Sequence, residues 1–157
     1  MFWKALDAKT RMSPFVVSKN EGLAIRFPVG ERVSSGWGRV YACTTEDSCR
    51  RWAEFARRKF LNREVIIVPA EADDPVVNPP MMSLVRFTKL EPEMVRLAWE
   101  ISDDIRAILG DRQEVGDEES EDIARRLSRP GFKVRPHWVR IGNNKSHVAC
   151  RSLTCLE

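Results

Sequence analysis

The residues best suited to chemistry in this sequence are four cysteines and two histidines. Cys150 and Cys155 have four residues between them and His147 lies three positions before Cys150, a grouping that could supply metal ligands. Cys43 and Cys49 are separated by five residues, wider than the two-to-four-residue gap usual in zinc sites. We therefore expect reduced thiols and no bound metal, with two cysteines buried and two in a loose C-terminal tail.

Both histidines, His137 and His147, lie in the last part of the chain. This leaves few ways to assemble a Ser–His–Asp arrangement, so we expect each of them to be a surface or hydrogen-bonded residue. The sequence contains no GxxxxGK[ST], GxSxG, HExxH or CxxC pattern. No strong catalytic motif therefore assigns an activity.

Basic residues interleaved with aromatic ones suggest a second kind of chemistry. Such residues contact phosphates without sequence preference, and a tryptophan can stack on a base. The alternative is an ordinary charged surface with a packed tryptophan. The candidate nucleic-acid contacts lie in residues 50–59 and 133–140, and they are Arg50, Arg57, Arg58, Lys133, Arg135, Trp138 and Arg140.

The net charge of +3 conceals a strong segregation along the chain. Residues 1–60 carry a net charge of +6, residues 91–122 carry −9 and residues 123–157 carry +7. The asymmetry indicates either an anionic partner for the basic ends or internal covering of those ends by the acidic segment. A third alternative is that the acidic loop 111–122 imitates nucleic acid or docks a partner protein.

A chain of 157 residues fits a single domain, and we expect one domain over residues 1–157. No run of about 18 apolar residues is present, so no membrane partner is expected. The first residues lack the layout of a secretory signal, and a cytoplasmic location is the default expectation.

Two amphipathic helices are predicted to carry much of the core. The first covers residues 46–60, with Thr44 or Thr45 as its cap and apolar residues recurring along one face from Cys49 to Phe60. Its opposite side carries Arg50, Arg51, Glu54, Arg57 and Arg58. The second covers residues 92–109, with Pro92 at its start and Gly110 after its end.

Short apolar runs between turn residues predict strands at 2–6, 23–27, 39–43, 65–68 and 84–87. The run 65–68 is expected to end at Pro69. Residues 132–141 look extended, and residues 147–153 could pair with them as a basic C-terminal hairpin or tail within 130–157. The prediction is an α+β domain with a mixed, largely antiparallel sheet and two main packed helices.

The stretch from Gly36 to Thr45 also carries a family resemblance. A glycine-led strand with a central Tyr41, then Thr44 and Thr45 before a helix containing Trp52 and Ala53, resembles the ADP-ribosyltransferase-like superfamily. The resemblance covers residues 1–90 and rests on short motifs. It implies a cleft between two sheets that binds the nicotinamide end of NAD.

The resemblance also implies roles for individual residues. Tyr41 would stack on the nicotinamide ring, Thr44 and Thr45 would line the pocket, and Glu71 would polarise the ribose hydroxyl. The family expects a histidine or arginine on the first strand, and in this chain Lys4 or Arg26 would have to serve. One hypothesis is thus an NAD-binding ADP-ribosyltransferase-like domain, active or inactive. The other is a non-enzymatic protein that binds nucleic acid or a protein partner.

Overall fold

A computed structural model describes residues 1–14, 24–36, 38–60, 63–77, 91–110, 112, 114–140 and 146–157. Within these residues the strands are β1 Phe2–Asp7, β2 Arg32–Ser34, β3 Val40–Cys43, β4 Val65–Asp73, β5 Val76–Val77, β6 His147–Cys150 and β7 Ser152–Cys155. The helices are α1 Glu46–Lys59, α2 Pro92–Leu109, α3 Asp117–Leu127 and α4 Pro136–Arg140.

The strands form one sheet in the order β2-β7-β4-β1-β3-β6-β5. β4 and β5 act as one bent strand, because Asp73 pairs with Ser152 and Val76 pairs with Ala149 in a single continuing register. In the same way β6 and β7 are separated only by Arg151. β1 pairs with β4 on one side and with β3 on the other, and β3 pairs with β6. Because the β6–β7 strand pairs in turn with the β4–β5 strand, the sheet closes on itself as a small barrel.

The barrel has an apolar interior made by alternate residues of its strands. Leu6, Val68, Val148 and Leu153 are among its buried members, with Phe27 from the segment before β2. Side chains of successive strand residues point to opposite faces, so the intervening residues face outward to the helices. Lys4 is a charged residue in this apolar interior. It is only 8% exposed, and its Nζ lies 4.9 Å from the centre of the buried Phe27 ring.

The helices cover different parts of the outer barrel surface. α1 packs over a cluster containing Ala5, Cys43 and Val65. α2, α3 and α4 share another cluster with Tyr41 and Ala149, the two residues that pair across β3 and β6. The interior and these two outer clusters together make up the hydrophobic core.

The structure confirms the α+β class and the largely antiparallel sheet. It also confirms both main helices, with Thr45 as the cap of α1 and Gly110 at the end of α2. The acidic loop enters a helix as expected, although that helix already begins at Asp117. The predicted strand at 84–87 and the predicted turn at 142–145 lie outside the described residues.

Three local predictions were wrong. β4 does not end at Pro69 but continues to Asp73, because β7 pairs with it from Ala70 onward. Residues 132–141 are not an extended hairpin arm, because α4 forms there with Trp138 and Val139 in the core. Of the strand predicted at 23–27, the described part contains only an isolated bridge between Met12 and Arg26.

Candidate nucleic-acid interface

The first helix is fixed at its N-terminus by reciprocal hydrogen bonds. The Ser48 backbone N–H donates to Thr45 Oγ1 at 3.1 Å, and the Thr45 backbone N–H donates to Ser48 Oγ at 3.3 Å. Glu46 and Asp47 occupy the first turn, and three basic residues occupy the last turn, each at the end where the helix dipole favours its charge. This arrangement sets which residues of α1 face solvent.

One face of α1 is fully committed to the barrel. Cys49, Ala53 and Ala56 are all 0% exposed and pack on Ala5 and Val65. Small residues on this face let the helix approach the sheet closely. The remaining faces of α1, which carry most of its charge, are consequently available to solvent.

An aromatic and basic surface runs along one exposed edge of α1. At its centre Phe55 is 42% exposed, although large aromatic side chains are usually buried. Its ring stacks on Trp52 with centroids 5.4 Å apart and planes 25° apart, and Lys59 Nζ lies 5.7 Å from its centroid. Every other member lies three or four positions from Phe55, the spacing of neighbours on a helix. We call this surface the α1 strip: Arg51, Trp52, Phe55, Arg58 and Lys59.

The cations of α1 differ in what they contact. Arg51 pairs with Asp47 at 3.1 Å and Arg50 with Glu46 at 2.9 Å, in exposed pairs that contribute little to stability. Arg57 donates to the Val65 carbonyl oxygen at 2.5 Å and so fastens the helix to β4. Of the predicted α1 contacts, Arg58 therefore belongs to the strip, whereas Arg57 has a structural role.

The predicted C-terminal contacts are placed differently. Trp138 is only 6% exposed and packs beside Phe132 with ring centroids 6.0 Å apart, so its faces are occupied by core neighbours. Arg140 pairs with Asp117 at 2.9 Å. Lys133 and Arg135 are exposed on the segment between α3 and α4.

Ion pairs join the acidic segment to basic residues elsewhere in the chain. Arg129 contacts Glu100 at 3.3 Å and Asp104 at 3.7 Å, and Arg39 contacts Asp103 at 3.5 Å. Together with the pair made by Arg140, the Arg129 contacts compensate part of the basic C-terminal charge within the molecule, whereas Arg39 belongs to the basic N-terminal segment. This favours internal covering for the C-terminal end and leaves α1 as the better-exposed basic surface.

The residues implied by the NAD resemblance lie in several places. Thr45 caps α1, and the Thr44 backbone N–H donates to the Ser146 carbonyl oxygen at 3.0 Å. Arg26 is exposed and donates to the Thr10 carbonyl oxygen at 3.2 Å. Tyr41 lies beneath α2, with its ring centroid 5.0 Å from that of Trp99.

The structure does not bring Tyr41 and Glu71 together. Tyr41 pairs with Ala149, whereas Glu71 pairs with Thr154, five positions further along the β6–β7 strand. At about 3.3 Å per residue this separates them by roughly 17 Å along the strand. Glu71 is exposed there, far from the helices that cover the tyrosine ring.

The cysteines form two groups rather than one metal site. Cys43 and Cys49 meet between β3 and α1, and Cys150 and Cys155 lie in the barrel interior. All four are buried thiols. Within the described ranges, no group of three or more His, Cys, Asp or Glu side chains is arranged to hold a metal ion.

Phe55 is the functional candidate that sequence reasoning missed. It lies outside the apolar face of α1, which runs through Cys49, Ala53 and Ala56. The sequence did contain an indication of its role, namely an aromatic residue between arginines on the polar side of a predicted helix.

Among the helices that the structure describes, none combines the length and apolar character needed to cross a bilayer. Comparisons of this chain with protein-family models, with curated proteins and with solved structures gave no significant match.

Proposed function

We propose that this chain binds single-stranded nucleic acid through the α1 strip. The observation that carries the proposal is the exposed Phe55 ring, stacked on Trp52 and surrounded by Arg51, Arg58 and Lys59. Exposed aromatic rings give bases a stacking surface, and neighbouring cations contact the phosphates. A duplex hides its base faces, so single strands are the better occupant.

The proposal accounts for both parts of the strip. A solubilising surface needs charge but has no use for an exposed Phe55 ring stacked on a half-buried Trp52, because exposed apolar area promotes association. A surface that binds a protein would be expected to bury more apolar area than one aromatic pair provides. Charge complementarity with a polyanion favours nucleic acid.

Replacing Phe55 with alanine should weaken binding to a single-stranded oligonucleotide of about 15 nucleotides by about 5- to 150-fold, because one base–aromatic stack contributes about 1–3 kcal/mol. Fluorescence anisotropy at low salt measures the affinity. The log–log salt slope should stay unchanged in Phe55→Ala and become shallower by about 0.7 in Arg58→Ala, since one phosphate contact is lost.

Arg125→Ala is the matched control for Arg58→Ala, because Arg125 is an exposed arginine of α3 outside the strip. It removes the same charge and should leave the salt slope unchanged. A duplex of the same sequence should bind more weakly than the single strand. No retention of the single strand at low salt, or equal affinity of Phe55→Ala and the wild type, would contradict the proposal.

NAD binding, implied by the resemblance, has one supporting observation: the buried Tyr41 hydroxyl has no hydrogen-bond partner among the described residues. A buried hydroxyl without a hydrogen-bond partner is uncommon, and a bound ligand that supplies the partner would explain it. If NAD binds, millimolar NAD should raise the melting temperature of the protein. An NAD concentration 100 times Kd would stabilise the folded chain by about 2.7 kcal/mol. Tyr41→Phe, which removes only this hydroxyl, should reduce the shift, and Glu100→Gln, a change at an exposed carboxylate, should not. Unchanged melting of the wild type would refute NAD binding.

A further inference from the structure

Cys43 and Cys49 are brought together by the junction of β3 and α1. Cys43 is the last residue of β3, and Cys49 lies one turn into α1 on its buried face. Their exposed fractions are 3% and 0%, and the Cys49 thiol hydrogen-bonds to Cys43. Two sulfurs in hydrogen-bond contact need little movement to form a covalent bond.

An imidazole stands beside this thiol pair. His147 is directly opposite Cys43 in the β3–β6 ladder and hydrogen-bonds to its thiol. The ring is oriented by Ser146, whose Oγ lies 2.8 Å from His147 Nδ1, and by an edge contact with Trp52 at 6.4 Å between centroids. Neighbouring imidazoles favour the thiolate form of a cysteine.

The two sulfurs are unequal in acidity. The hydrogen bond from Cys49 lowers the pKa of Cys43; burial opposes this effect, and His147 and Lys4 add to the lowering. The same shared hydrogen bond, together with burial, raises the pKa of Cys49. Because the imidazole of His147 lies opposite Cys43 in the ladder, we assign Cys43 as the nucleophile and Cys49 as its partner.

The barrel cysteines offer a contrast within the same molecule. Cys150 donates its thiol hydrogen to the Val40 carbonyl oxygen at 3.3 Å, and burial raises its pKa to about 11. Burial also raises the pKa of Cys155. Thiols with a raised pKa stay protonated at neutral pH and react slowly with oxidants, because the thiolate is the nucleophile.

We propose that Cys43 and Cys49 form a reversible redox pair that reacts with hydrogen peroxide and closes to an intramolecular disulfide. The geometry that carries this is the packing of both buried cysteines in one cluster between β3 and α1, with His147 opposite Cys43. The inference does not depend on nucleic-acid binding, and either can fail without the other.

The reaction has two steps. The Cys43 thiolate attacks one peroxide oxygen; an S–O bond forms, the O–O bond breaks, and hydroxide leaves and is protonated to water. Cys49 then loses its proton and its sulfur attacks the Cys43 sulfur; the S–S bond forms, the S–O bond breaks, and a second water leaves. Two thiols are oxidised to one disulfide while one peroxide is reduced to two waters. A dithiol reductant restores both thiols.

Peptide mapping of the oxidised full-length chain tests the proposal without any mutation. Trypsin cleaves after Arg39 and Arg50, so Cys43 and Cys49 fall in one peptide, residues 40–50. Cys150 and Cys155 fall in two others, residues 146–151 and 152–157. After brief treatment with hydrogen peroxide, quenching, denaturation and alkylation, peptide 40–50 should be unalkylated and lighter by two hydrogen atoms than its reduced form.

The two barrel peptides are the internal controls. They should remain fully alkylated over times at least about ten times longer, because their thiols stay protonated. Treatment with dithiothreitol should return peptide 40–50 to its alkylated form. Equal oxidation rates in all three peptides, or sulfinic acid at Cys43 without any disulfide, would overturn the proposal.

Variants then separate the two steps. In Cys49→Ser the first step persists without resolution, so a dimedone adduct should accumulate at Cys43. In Cys43→Ser, Cys49 should lose its reactivity. Adduct formation at Cys49 in that variant, or its absence at Cys43 in Cys49→Ser while the wild type forms the disulfide, would contradict the assigned order.

Discussion

Alanine at Gly38 should lower the free energy of unfolding by about 3–5 kcal/mol, the range found when a buried aromatic side chain loses its packing. A Cβ at this position would lie 2.1 Å from Trp99 Cδ1, and the backbone φ of +143° is one that side chains rarely adopt. Trp99 is only 5% exposed and packs on Tyr41. The Trp99 indole would have to leave its place against the Tyr41 ring. Urea or thermal denaturation measures the loss, as a fall in Tm of about 10 °C.

Gly36→Ala is the matched control, because no atom lies within 4 Å of a Cβ built there. Its stability should stay close to that of the wild type. In a Trp99→Leu background, Gly38→Ala should cost less than in the wild type, since the smaller side chain removes part of the clash. A Gly38→Ala protein as stable as the wild type would show that Trp99 does not pack against this glycine.

Methionine at Lys4 should stabilise the fold by about 1–4 kcal/mol, the scale seen when buried charged groups are replaced by apolar ones. Lys4 Nζ donates to the Tyr41 carbonyl oxygen at 2.5 Å inside the barrel, and burial lowers its pKa. A methionine fills similar volume without the cost of desolvating an ammonium group. Denaturation by urea at neutral pH measures the gain.

The gain should depend on pH in a definite direction. The pKa of Lys4 is lower in the folded chain than its ordinary value of 10.5, so between these two values the unfolded chain binds more protons. The wild type therefore gains stability as pH rises through this window, and the advantage of Lys4→Met shrinks. Lys9→Met, a change at an exposed lysine, should show no such trend. An advantage that stays constant or grows between about pH 7 and about pH 10 would contradict a desolvated Lys4.

Local chemistry predicted the helices well. The Thr45 cap, the acidic first turn and the apolar face of α1 all act within a few residues, and so do Pro92 and Gly110 in α2. The same local reasoning failed at Pro69. This proline lies at the end of the β7 pairing, where its carbonyl oxygen accepts from the Leu156 backbone N–H at 2.9 Å.

The rest of the fold depends on contacts between distant residues. Nothing near Tyr41 specifies that it pairs with Ala149, and nothing near Trp138 specifies the core of α2 and α3 that draws residues 136–140 into a helix. Tertiary packing overrides local propensity in such segments. The proximity of Cys43 and Cys49 could be predicted from their closeness in the sequence. The position of His147 beside them could not, because it depends on the register between β3 and β6.

Closure of the barrel has a consequence for how the protein behaves at high concentration. An exposed sheet edge is a template for pairing with another chain, and long flat edges lead to aggregation. In the described part of this chain β4 has neighbours on both sides and continues into β5, and the strand outside the closed ladder is the three-residue β2, which pairs with β7. On β2, Arg32 holds an ion pair with Asp73 at 3.3 Å, which places charge beside that edge. The closed ladder thus protects the folded chain against edge-to-edge polymerisation.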